Sequence, residues 1–173
     1  MKISIRRALS TTLMLVSVMV VKSTAKPWRG LTPTRSTQLD AARVVPQCVN
    51  TSTRCTFRLE DSEVMIIFSG GDTGDGKCAK IPVGTVLAIK IRFTRLQQFE
   101  DFKVNHQQVI LFDPSTPPNS DYQSYYYREE GLIVSTFRGK VFEVVYIARQ
   151  RDLRRCPEYY DDPKGFVEMS AIY

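Results

Sequence analysis

Four cysteines carry the most chemistry in this chain: Cys48, Cys55, Cys78 and Cys156. As thiolates they could hold zinc or attack a substrate, and as pairs they could close disulfides. Zinc sites want closely spaced ligand pairs, usually with histidine. Here the spacings are wide, and His106 is the sole histidine, so no metal site is expected. His106 sits in the polar stretch Val104-Asn105-His106-Gln107-Gln108, which reads as surface ahead of a strand. The motifs G-x-S-x-G, H-E-x-x-H and a Walker loop are absent from the sequence. The stretch at 70–76 combines glycines with Asp72 and Asp75, but lacks the ligand order of an EF-hand and reads as a loop. No cofactor and no catalytic residue is expected. Carboxylates such as Asp113, Glu129 and Glu130 leave a hydrolase as the weakest alternative, because no pattern in the sequence pairs them.

The compartment follows from the N-terminus. Lys2, Arg6 and Arg7 precede an apolar stretch at 9–21, and Ser23-Thr24-Ala25 offers small residues for cleavage. This is the pattern of a secretory signal peptide over 1–25. The apolar stretch is shorter than the roughly 20 residues a spanning helix needs, so no transmembrane span is expected after cleavage. An even cysteine count in an exported chain implies disulfides. Four cysteines permit three connectivities. The preferred one joins Cys48 to Cys55 and Cys78 to Cys156.

Charge excludes a class of partner. The 173-residue chain has 24 basic and 18 acidic residues, a net of +6. Removing Lys2, Arg6, Arg7 and Lys22 with the signal leaves 148 residues at +2. That is too little for a nucleic-acid footprint. Tyrosine is the unusual residue type. Tyr125 and Tyr127, on an expected strand, and Tyr159 and Tyr160, beside Cys156, are the candidate partner-contact residues, since a rigid ring with a wet hydroxyl suits interfaces.

The elements that must hold these residues follow from periodicity. Residues 26–35, with Pro27, Trp28, Gly30 and Pro33, read as an extended leader. Thr37-Gln38-Leu39-Asp40 fits a capping box, and Pro46 stops a short helix over 37–45. The remainder reads as strands: 53–59 and 63–68 as a hairpin, 85–93, 107–112, then 123–128, 131–137 and 141–148 as a meander. In 85–93, Thr85, Leu87, Ile89, Ile91 and Phe93 alternate with Val86, Ala88, Lys90 and Arg92, a half-buried strand. Residues 113–120, with Pro114, Pro117 and Pro118, form a loop. In the last strand Phe142, Val144 and Tyr146 alternate with Val141, Val145 and Ile147. Both faces are apolar, so that strand is central. The fold class is α+β: one short N-terminal helix packed on an antiparallel, meander-rich, disulfide-stapled sheet. The single domain spans 36–163, with a C-terminal tail over 164–173. Composition agrees, with 43% hydrophobic, 24% charged and 10% aromatic residues.

Two resemblances add to this. Pro82-Val83-Gly84-Thr85-Val86, Tyr125-Tyr126-Tyr127-Arg128-Glu129-Glu130-Gly131, and Tyr146-Ile147-Ala148-Arg149 with Leu153-Arg154-Arg155-Cys156 resemble an uncharacterised family of small secreted bacterial proteins. The stretch from Gly30 to Val45 looks similar to the capped helix of SmpA/OmlA-like outer-membrane assembly lipoproteins, although no anchor cysteine precedes Cys48 and Pro46 stands where that family tends to have glycine. The first implies export without a stated activity. The reading that results is an exported, non-catalytic cell-envelope (periplasmic) or secreted module acting through protein contacts, with another envelope protein as its partner. The alternative is a small-ligand binding domain, with a cleft at 70–76 or beside Tyr125–Tyr127.

Intact-mass spectrometry of the exported protein checks the compartment. The expected mass is that of residues 26–173 less four hydrogens. Free thiols or a retained N-terminus would reject it.

Overall fold

A computed structural model describes residues 26–49, 53–70, 81–102, 104, 109–111, 120–149 and 152. The signal segment, Cys78, His106, Asp113, Cys156, Tyr159, Tyr160, the glycine-rich loop from residue 71 onward and the tail lie outside them.

Helix α1, Gln38–Val44, begins where its cap is made. The Asp40 N–H donates to Thr37 Oγ1 at 3.2 Å, and the Thr37 N–H donates to the Asp40 carboxylate at 2.9 Å. These two bonds satisfy donors that a helix start leaves open. The backbone bond from Thr37, then its hydroxyl, holds the Asp40 carboxyl below its ordinary range. Val45 ends the helix, and Pro46–Cys48 makes one 3-10 turn. Seven residues cannot hold a helix alone. This one is docked: the Gln38 N–H donates to the Gly84 carbonyl at 2.7 Å, and Ala41 and Val45 are buried.

Among the described residues, seven strands form one antiparallel sheet: β1 (Arg54–Arg58), β2 (Ser62–Phe68), β3 (Val86–Gln97), β4 (Val109–Leu111), β5 (Tyr122–Tyr127), β6 (Leu132–Phe137) and β7 (Lys140–Tyr146). Their order is β1-β2-β3-β7-β6-β5-β4. Two meanders are therefore joined where β3 meets β7. The second 3-10 turn, Phe99–Phe102, follows β3, after which the chain reaches the far edge and returns inward strand by strand. The α+β class is as the sequence indicated, and β7 is the middle strand.

One face of the sheet is covered by α1, the first 3-10 turn and the N-terminal strap. Trp28, Leu31, Val45 and Cys48 pack there on Phe57, Val64, Ile66, Phe68, Val86, Ile89 and Ile91. The same face continues toward β6 and β7 as Val104, Tyr127, Leu132, Val134, Val141 and Val144, with Phe99 and Phe102 alongside. The other face buries Ile67, Leu87, Ala88, Tyr126, Ile133, Val145 and Ile147. The Cys48–Cys55 disulfide staples the first 3-10 turn to β1. The Cys78–Cys156 pairing lies outside the described residues.

The structure corrects three expectations. Residues 26–35 are not an extended leader: Trp28 and Leu31 exchange backbone bonds across a tight turn at Arg29-Gly30, and Trp28, Leu31 and Pro33 are buried. They belong to the domain because their apolar side chains find a sheet face to cover. The strap is tied at its start, where Lys26 Nζ donates to the Phe102 carbonyl at 2.9 Å and pairs with Glu130 at 3.3 Å. Second, Val141 packs with Val144, not with Val145 and Ile147. Ser135 pairs with Glu143 while Thr136 pairs with Val141, so Phe142 is a bulge that shifts parity by one. Third, the alternation in β3 breaks at Leu87, because Ile67 pairs with Ala88 and Phe68 with Val86. Val86 then faces α1, giving its N–H to Ser36 (2.8 Å) and its carbonyl to Thr34 (2.7 Å).

Gly131, between β5 and β6, has φ +63, and a Cβ there would meet the Ile147 carbonyl oxygen at 2.4 Å. Gly139 has φ +74 with open space around it. Gly131→Ala should cost about 2 kcal/mol or more, and Gly139→Ala about 1 kcal/mol. Urea midpoints read both, and equal costs would reject the close approach at Gly131.

Candidate contact surface

The face opposite α1 changes character along the strands. Its inner row is apolar across β6 and β5: Val145 of β7 pairs with Ile133, and Ile133 with Tyr126. One step on, a polar row crosses six strands through Cα partners: Arg58, Glu63, Arg92, Glu143, Ser135 and Ser124. Glu143 is its centre. The side chain is 12% exposed, and its Oε2 accepts from Lys90 Nζ at 3.2 Å and Arg92 Nη2 at 3.0 Å. Two cations make burial of that carboxylate tolerable. Beside it, the Ser124 and Ser135 hydroxyls bond each other at 2.9 Å.

Beyond the polar row, the far end of β5, β6 and β7 carries an aromatic group. Tyr122 is 58% exposed. Its ring lies 4.7 Å from Phe137 and 6.0 Å, edge-on, from Phe142. Arg138, in the β6–β7 turn, places its guanidinium 5.1 Å over the Phe137 ring and pairs with Asp121 at 3.1 Å. Two local features build this group. The Arg138-Gly139 turn has positive φ at both residues, the geometry that closes a two-residue hairpin. The bulge at Phe142 brings that ring to Tyr122, rather than leaving it beside Val144. Tyr122 is the exposed ring of the three, Phe137 and Phe142 being half-buried beside it; backed by them and by a guanidinium, it offers apolar area and cation–π contact together.

The tyrosines expected to touch a partner are placed differently. Tyr127 is 2% exposed and packs in the core, so its ring is not displayed. It was drawn inward because β5 presents Tyr125 and Tyr127 to the face covered by Phe99 and Val104. Tyr125 is half-buried, edge-on to Phe99 at 5.8 Å, with its hydroxyl donating to Gln123. Tyr159 and Tyr160 lie outside the described residues. Tyr122, Phe137, Phe142 and Arg138 were missed. The parity of Tyr126 placed Tyr122 on its face, but the bulge that delivers Phe142 leaves no sequence signal.

Of the carboxylates considered for hydrolysis, Glu130 is held by Lys26 at 3.3 Å, Glu129 is exposed in the turn, and Asp113 lies outside the described residues. Among the described residues no group of three or more His, Cys, Asp or Glu side chains could hold a metal ion, and no helix is long and apolar enough to cross a membrane. No family model, curated protein or solved structure matches the chain. The geometry therefore stands by itself.

Burial pushes the Tyr126 and Tyr127 hydroxyls up to about 12, from an ordinary value of 10.0, and raises that of Tyr146. A group protonated more tightly when folded contributes stability that is complete below its unfolded pKa and is lost as pH rises through the folded one. Urea midpoints should therefore fall between pH 10 and about 12. Tyr126→Phe with Tyr127→Phe should flatten that fall. An unchanged alkaline slope in the double variant would reject burial as its cause.

Proposed function

We propose that this protein is an exported, non-catalytic envelope or secreted module that works by protein contact, through the Tyr122–Phe137–Phe142–Arg138 surface. The observation that carries the reading is that group itself. Three rings and a guanidinium gather at one exposed end of a sheet whose neighbouring rows are buried or ion-paired. Aromatic residues and arginine are the types that dominate binding hot spots. The Cys48–Cys55 bridge is of a piece with an oxidising compartment. The resemblance to small secreted bacterial proteins points the same way, toward a bacterial periplasmic or secreted setting. The exposed face would meet another envelope protein.

Photo-crosslinking tests this in the native envelope. A benzophenone amino acid replacing Tyr122 should give one discrete adduct, lost when Phe137→Ala and Arg138→Ala are added. The same probe replacing Arg95, exposed on β3, should give none. Equal adducts from both sites, or no adduct from Tyr122, would reject the surface. Urea unfolding of the variants should give the parent's stability to within about 1 kcal/mol.

A further inference from the structure

The opposite edge of the sheet carries a second feature. Strand β1 is the outermost strand, and it pairs with β2 in regular register with no bulge and no proline. The Leu59 N–H donates to Ser62 at 2.8 Å and the Phe68 N–H to Thr53 at 2.8 Å. These bonds fix the phase of the ladder. Residues 55 and 57 turn their backbone groups toward β2, and Arg54, Thr56 and Arg58 turn theirs outward. No backbone bond among the described residues reaches those outward groups. All three side chains are exposed, while Cys55 and Phe57 between them are buried. Among the described residues, the edge thus offers a short row of unpaired donors and acceptors with an arginine at each end.

We propose that the β1 edge is a docking site for an extended, acidic peptide segment of a partner, which adds an eighth, antiparallel strand. The occupant's chemistry follows from register. Residues opposite Arg54 and Arg58 share their face of the sheet, and opposite charges directly across a strand pair stabilise it. Glu63 lies across from Arg58 on β2 and offsets part of that arginine's charge, so Arg54 dominates. Residues opposite Cys55 and Phe57 project toward the face of the disulfide, where Val49 beside Cys48 is exposed, and are apolar there. The segment therefore reads acidic, apolar, neutral, apolar, acidic. A second copy of this chain does not fit. Antiparallel pairing about Thr56 sets Arg54 against Arg58 twice, and like charges across a pair destabilise it. The same arginines that keep the edge from pairing with itself select what may pair with it. This surface lies at the other end of the sheet from Tyr122, and either can fail without the other.

The probe is acetyl-Asp-Val-Thr-Val-Asp-amide, titrated at millimolar concentration into the nitrogen-15-labelled mature protein. The expected result is saturable shifts of the Arg54, Thr56 and Arg58 amides, with slower hydrogen exchange there and none at Tyr122. The lysine counterpart should bind about tenfold more weakly, and Arg54→Glu with Arg58→Glu should invert that order. A peptide N-methylated at both aspartates and at its threonine, the residues whose amides face Arg58, Thr56 and Arg54 in this register, leaves the protein untouched and should not bind. Absence of shifts at the three amides, equal affinity for both peptides, unaffected binding by the N-methylated peptide, or self-association through this edge would overturn the proposal.

Discussion

Everything in this fold depends on the two-faced burial of β7. Val141 and Val144 point to one side of the sheet, Val145 to the other, and all three are buried. A strand of that kind must be central and covered above and below. The chain contains one helix of seven residues among those described, far too little to cover one face of seven strands. The cover is therefore assembled from short pieces: a turn-rich strap from Lys26, α1, and two 3-10 turns. None could persist by itself. Each is fastened by a different interaction: the Lys26–Glu130 pair, the Thr37–Asp40 box, the disulfide, and the paired rings of Phe93 and Phe102 at 5.8 Å.

Two of the register shifts in the sheet are part of the same solution. At Leu87, the slip turns Val86 toward the helix and frees its backbone groups for Ser36 and Thr34. The segment that leads into the helix is thereby joined to the sheet by main-chain bonds, while the helix itself packs on Val86. At Phe142, the slip keeps Val141 in the core layer of Val144 and turns a ring outward to Tyr122. A regular strand would have placed Phe142 inside and Val141 on the face that is exposed at that end. The exposed aromatic group is thus a by-product of packing the middle strand, built from the residue that the core did not take.

Much of this was legible from spacing. The helix and all seven strands lie where period and turn residues put them, and the central place of the last strand followed from its two apolar faces. The capping box and the Cys48–Cys55 bridge were readable because they are local. What was not readable depends on tertiary fit. The strap looked extended because Pro27, Gly30 and Pro33 suppress periodicity, yet its buried Trp28 and Leu31 make it core. The parity of Phe142 required the register with β6. Tyr127 carries the same side chain as Tyr122, and only the cover over its face makes one core and the other surface.

Glu143 explains where the cover stops. It is an acid in an otherwise apolar central strand, which makes it the least expected residue at that position. Burying a carboxylate alone would be prohibitive, and Lys90 and Arg92 meet it from β3 at 3.2 and 3.0 Å. Arg92 itself remains 59% exposed, so the triad must reach water and cannot lie beneath a packed layer. An ionic row of this kind ends the apolar layer of Tyr126, Ile133 and Val145 and keeps the next positions open. Among the described residues, Tyr122 lies beyond that row and is 58% exposed, with the half-buried rings of Phe137 and Phe142 against it; the charges between it and the core separate it from the apolar layer.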